Sequence, residues 1–118
     1  MITLGQKAEQ WACDYLEKQG LTLLTKNYHC RQGEIDLIMQ DNHTLVFVEV
    51  RYRKSAKFGS ALESVNHKKQ KKIVFTAEHY LLHSKSGYVA YRFDVIAITP
   101  DQNKMQFIWV KDAFQVTK

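Results

Sequence analysis

The stretch Leu45–Arg53 (LVFVEVRYR) constrains this chain most. It is dominated by β-branched and aromatic residues, the strongest strand signal in the sequence, yet it carries a carboxylate, Glu49, in its middle. A second strand signal, Glu34–Gln40 (EIDLIMQ), precedes it across the turn cluster Asp41–Thr44. A hairpin closing on Asn42-His43 pairs Gln40 with Leu45, Ile38 with Phe47, Asp36 with Glu49 and Glu34 with Arg51. One face then holds Ile35, Leu37, Met39, Val46, Val48, Val50 and Tyr52. The other holds Glu34, Asp36, Glu49, Arg51 and Arg53, with Ile38 and Phe47 nearer the turn. Directly opposed residues have Cβ atoms about 4.5–5.5 Å apart. This register therefore sets two carboxylates side by side on a core-like strand pair.

Like charges so placed repel, and each raises the pKa of the other. Two arrangements relieve the repulsion. In the first, a divalent cation, Mg²⁺ or Mn²⁺, is held by Asp36 and Glu49, with water and phosphate oxygens completing its shell and Arg51 just beyond. In the second, Arg51 and Arg53 neutralise Asp36, Glu34 and Glu49 in a charge ladder without metal. A one-residue slip of register would separate the two carboxylates onto different faces.

The charge of the chain is also unevenly placed. Its 118 residues carry 17 Lys+Arg against 12 Asp+Glu, a net charge of +5. Eight basic residues, Arg51, Arg53, Lys54, Lys57, Lys68, Lys69, Lys71 and Lys72, fall in one window opposed only by Glu63. A polyanion partner, nucleic acid first among them, and a merely solvated basic face both fit this pattern.

The remaining pattern gives one domain over 1–118 with the order α-β-β-β-α-β-β. Gly5–Gln19 reads as a helix buried through Ala8, Trp11, Ala12, Tyr15 and Leu16, with Gly20 at its C-terminal end. Leu21–Tyr28 is the first strand and His29–Gln32 a turn. Asn66 is the expected N-cap of a second helix with Ile73, Val74, Ala77, Tyr80 and Leu81 on its buried stripe. Tyr88–Thr99 is the fourth strand, stopped at Pro100. Met105–Val110 is the fifth, and Lys111–Lys118 is expected to fray. A helix between the third and fourth strands implies that they run parallel in a mixed sheet. Cys13 and Cys30 lack disulfide or metal spacing and fit a reducing compartment. No basic-then-apolar leader and no apolar run near ~20 residues is seen, so the expectation is a soluble cytoplasmic protein with no membrane contact. The edge strands and the gain from two-fold symmetry lead to the expectation of a weak homodimer.

The segments Gly33–Ile38 (GEIDLI) and Val46–Arg53 (VFVEVRYR) closely resemble the YraN family of small bacterial proteins. Phe58-Gly59, the Lys-rich start Lys68–Ile73, Ala77 with Tyr80-Leu81, and Arg92–Val95 extend the likeness over nearly the whole chain. That family is similar to the restriction-endonuclease-like superfamily, marked by an Asp on one strand and E-x-K on the next, and is laid out like archaeal Holliday-junction resolvases. The resemblance implies an α/β fold with a central mixed five-stranded sheet flanked by helices. It also implies a metal-dependent endonuclease acting on DNA, including branched or damaged structures, or a nucleic-acid-binding accessory protein with little cleavage. It would make Asp36 and Glu49 metal ligands and Glu9 a third acidic member. Glu9 shares a helical flank with Ala12, Cys13 and Leu16, which either aims it at the sheet edge or leaves it exposed. The superfamily's Lys is Arg51 here. An Arg stays protonated, so it binds phosphate or steadies water but does not serve as a base.

Overall fold

The structure, a computed structural model, describes residues 1–54, 62–84, 87 and 90–116. Its elements are α1 (Leu4–Lys18), β1 (Thr22–Cys30), β2 (Gly33–Asp41), β3 (Thr44–Tyr52), a single 3₁₀ turn (Leu62–Ser64), α2 (His67–His83), β4 (Ala90–Asp101) and β5 (Lys104–Phe114). The protein is α/β, with the element order read from the sequence. The five strands form one sheet in the order β1-β2-β3-β4-β5, antiparallel throughout except for the parallel pair β3–β4.

Local chemistry explains the helix starts. Thr3 caps α1: its hydroxyl accepts from the Gln6 N–H while the Gln6 side chain accepts from the Thr3 N–H. Asn66 caps α2, its side-chain oxygen accepting from the Lys69 N–H at 2.9 Å. Gly20 takes φ +104° just beyond α1, a conformation costly to any residue with a Cβ. The two helices cover opposite faces of the sheet. Ala8, Ala12 and Leu16 pack on Leu37, Met39, Val46, Val48, Ile96 and Ile98. Ile73 and Ala77 pack on Ile38, Phe47, Phe93 and Val95.

Four expectations need correction. Ile35 lies with Ile38 on the α2 side, not with Leu37, because β2 loses its alternation between them. The first strand runs on through His29 and Cys30, which pair with Glu34 and Gly33, so the turn is only Arg31-Gln32. Pro100 does not stop β4. It pairs with Met105 beyond the last β3 pairing, Tyr52 with Ile98, where one edge of β4 is open and proline is tolerated. The chain reverses instead at Gln102-Asn103, both at positive φ. Finally, Lys111–Phe114 is strand rather than a frayed tail: Phe114 is buried and stacks on Phe93. Lys57, Phe58, Gly59, Tyr88, Thr117 and Lys118 lie outside the described residues.

The β5 extension is pinned by Asp94, which is 1% exposed. Its carboxylate accepts from Arg92 Nε at 3.0 Å, Trp109 Nε1 at 2.9 Å and the Asp112 N–H at 2.9 Å, while Arg92 also reaches Asp41 at 3.1 Å. Asp112 sits at φ +52°, and the pairing register shifts there. Asp94→Ala leaves the Trp109 and Asp112 N–H groups without their acceptor and the partly buried Arg92 with Asp41 alone. It is expected to destabilise the protein by about 3–5 kcal/mol in urea unfolding.

Candidate active site

Asp36 and Glu49 come together through a break in the sheet. The pairing of β2 with β3 follows the expected register from Asp41↔Thr44 to Leu37↔Val48. At Asp36 the backbone leaves the ladder, and on the β1 side the pairing likewise skips from Lys26↔Leu37 to Tyr28↔Ile35. The skipped β1 residue, Asn27, is at φ +52°. Asp36 replaces the missing ladder bond with its own side chain, Oδ2 accepting from the Val50 N–H at 2.8 Å. Its carboxyl also meets that of Glu49 by hydrogen bond.

Glu49 is 5% exposed on the α2 side of the sheet. Burial, then the charge of Asp36, pushes its pKa up to about 7 against the pull of Lys69 and Arg51. Burial also raises Asp36, opposed by the Val50 N–H and Glu49 and assisted by Glu34. The two groups behave as one carboxyl–carboxylate pair sharing a proton. Two cations flank Glu49 Oε2: Arg51 Nε at 3.5 Å and Lys69 Nζ at 3.6 Å. The Arg51 approach is an ion pair by distance without being a hydrogen bond. Its Nε is buried and has no hydrogen-bond partner among the described residues. Lys69 is aimed here by the Asn66 cap, which fixes the first turn of α2, and Gln70 ties the same turn to the Val65 carbonyl at 2.9 Å.

Glu9 approaches Asp36 from the α1 side. Burial, then Asp36, raises its pKa, and Asn27 holds it by a hydrogen bond. Glu9, Asp36 and Glu49 thus form a chain of contacts with Asp36 in the middle. Among the described residues no three His, Cys, Asp or Glu side chains form a group that could hold a metal ion. The metal donors brought together are Asp36 and Glu49, with Glu9 beside Asp36.

The other expected residues are placed unevenly. Lys68, Lys71 and Lys72 are exposed on the first turns of α2, and Lys54 is exposed beyond β3. The Arg53 N–H bonds the Ile98 carbonyl and closes the β3 end. Lys72 lies over the β1–β2 turn, where a Cβ on Gly33 would meet the Lys72 Cβ at 3.4 Å and Thr76 Oγ1 at 3.2 Å. The special position of Lys69 among four lysines, and the part of Asn27, escape the sequence. A strand-disfavoured Asn opposite Asp36 is the one signal for the latter.

The class this geometry defines is an α/β domain with an acidic pair, one member buried and one half-buried, on adjacent strands of a mixed sheet. Residues 8–98 match one family, described as Uncharacterised protein family UPF0102. Related proteins of that name include one from Saccharophagus degradans, 52% identical over 97% of this chain and 94% of its own. Another, from Nitrosococcus oceani, is 47% identical over 95% of this chain and 91% of its own. A third, from Psychromonas ingrahamii, is 50% identical over 94% and 88%. The chain belongs to UPF0102, the family to which the YraN resemblance refers. None of the helices described is long and apolar enough to cross a membrane.

Two expectations follow from the geometry. Asp36→Asn keeps an oxygen for the Val50 N–H and removes one charge, so the metal-free protein should be as stable as wild type or slightly more so. Asp36→Ala orphans that N–H and should cost about 1–3 kcal/mol; chemical denaturation in chelator compares the two. The second concerns pH. Glu49 has a folded pKa near 7, above its ordinary value of 4.5. The folded state therefore binds the proton more tightly than the unfolded chain. The stability this contributes is complete below about pH 4.5 and is lost as pH rises through 7, to the extent of about 3 kcal/mol. Melting of the metal-free protein between pH 5 and 8 should show that decline, and Glu49→Gln should flatten it.

Proposed function

We propose that this protein is a metal-dependent endonuclease acting on DNA, on branched or damaged structures, with Asp36 and Glu49 as ligands of one Mg²⁺ or Mn²⁺. The observation that carries this reading is the carboxyl pair of buried Glu49, raised to about 7, and half-buried Asp36, set against the cations of Arg51 and Lys69. The donors are all oxygen, which suits a hard divalent ion, and Mg²⁺ commonly takes one or two carboxylates plus water and phosphate oxygens. Such an ion, when bound, polarises the phosphoryl group and acidifies a coordinated water. The protein's own residues do the rest. Asp36 and Glu49 give up their shared proton on loading. Lys69 keeps a compact cation 3.6 Å from the Glu49 oxygen, reaching it from α2 while Arg51 occupies the strand position of the E-x-K lysine. Arg51, its side chain 30% exposed while Nε faces Glu49, offers a phosphate oxygen the rest of its guanidinium fork. Being permanently protonated, it binds and orients and takes no proton. The exposed Lys68, Lys71 and Lys72 extend the cationic surface along α2.

A second reading, nucleic-acid binding with little or no cleavage, is favoured by one observation: the cations of Arg51 and Lys69 both lie at the Glu49 oxygen and offset its charge. A cleavage panel of linear, nicked, single-stranded and four-way DNA, and RNA, with Mn²⁺ or Mg²⁺ separates the two. The nuclease reading expects cleavage of DNA that Glu49→Gln lowers by more than about 100-fold, since loss of even an outer-shell partner costs about 10–100-fold. Replacing Lys68, Lys71 and Lys72 by Gln should shallow the log–log salt dependence of duplex binding by about 0.9 for each phosphate no longer neutralised. Binding without metal-dependent cleavage selects the second reading. Failure to bind any nucleic acid overturns both.

A further inference from the structure

Beyond the acidic residues lies a cleft that the cleavage chemistry described above does not use. Asp36 touches Glu49 on one side and Glu9 on the other. Glu9 lies in the wall of a separate cleft of about 410 Å³ on the α1 side of the sheet. The same wall is lined by Trp11, Lys7, Lys26, Gln10 and Asn27. Lys7 and Lys26 are exposed, while Trp11 is half-buried. Trp11 packs against the α1-side core and meets the ring of Tyr52 at 6.3 Å and 43°, so the indole is anchored from behind. Gln10 is held between Lys26, which donates to its Oε1, and Asp14, to which it donates at 2.8 Å. The cleft therefore opens one side chain away from the carboxyl pair, with an immobilised aromatic surface, two cations and fixed amides.

That inventory matches a nucleotide. A base stacks on an aromatic ring whatever its identity, lysines meet the phosphates, and amides meet base edges. Continuous duplex does not offer a free base face, and extruding a base from it is costly, whereas an unpaired base comes at little cost. We propose that this cleft holds an unpaired nucleotide adjoining the phosphate presented to Asp36 and Glu49, with its base on Trp11 and its phosphates on Lys7 and Lys26. The inference rests on the reading of the acid pair as a DNA site. It selects within that reading for flaps and branch points over unbroken duplex.

Equilibrium binding in Ca²⁺, with the oligonucleotides kept intact, tests it on two labelled DNAs: a continuous duplex and the same duplex bearing a single-stranded flap. The wild type is expected to favour the flap. Trp11→Ala should shrink the flap-to-duplex affinity ratio by roughly 5- to 100-fold, the worth of one base–aromatic stack. Trp11→Phe should retain most of the ratio, which a merely structural role would not require. Should Trp11→Ala fail to fold, the double variant Lys7→Gln, Lys26→Gln, changed only at exposed positions, still reads the site. It should shallow the salt dependence of flap binding by about 0.7 for each phosphate no longer neutralised. Duplex binding with no flap preference, or a ratio unchanged by Trp11→Ala and by the lysine pair, overturns this proposal and leaves the nuclease reading standing. Absence of DNA binding by the wild type overturns both.

Discussion

Two carboxyl groups in contact where the β2–β3 ladder ends, Glu49 buried and Asp36 half-buried, set the terms for everything around them. Desolvation alone disfavours their charge, and proximity adds to that cost. The surrounding structure is arranged to offset both. One oxygen of Asp36 is taken up by the Val50 N–H. One oxygen of Glu49 faces Arg51 and Lys69. The proton they share covers what remains. A protein with no use for this pair would be better served by two more apolar residues, as at the neighbouring positions Leu37 and Val48.

The pair is possible only because β2 departs from regular pleating. A regular strand would keep Ile35, Leu37 and Met39 on one face, and the ladder would take the Val50 N–H. Instead β2 changes face between Ile35 and Leu37, opposite the left-handed Asn27 in β1. The same distortion gives Ile35 to the α2 core and brings Asp36 to Glu9 and Asn27 on the α1 side. One irregularity thus joins two faces of the sheet at one carboxylate. Its position is stabilised by the well-packed ladder that follows, Leu37 to Asp41, and by the close approach of Gly33 to α2.

The two cations divide the work that a single lysine would do. Arg51 extends from the strand, keeps its charge under all conditions, and presents a planar fork. Lys69 arrives from another element, positioned by a capping asparagine rather than by strand register. Its charge lies closer to a point, and its reach depends on how α2 packs. Together they pull the Glu49 pKa down against burial and the charge of Asp36, which still leave it raised.

The sequence by itself determined the order of elements, the β2–β3 register from Leu37 to Asp41, the Asn66 cap of α2 and the nearness of Asp36 to Glu49. Each of these follows from period, turn chemistry or the fixed geometry of a hairpin, which act over a few residues. Contacts between distant segments were not legible. Nothing in four lysines at Lys68, Lys69, Lys71 and Lys72 marks Lys69, because its partner lies twenty residues back on a strand. The strand character of Lys111–Phe114 depends on Asp94 and on Phe93, not on its own polar-looking composition. The side of the sheet taken by Ile35 and the convergence of Glu9 on Asp36 were decided only by tertiary structure. A break in alternation arises where three strands and a helix settle their packing together, and no single segment encodes it.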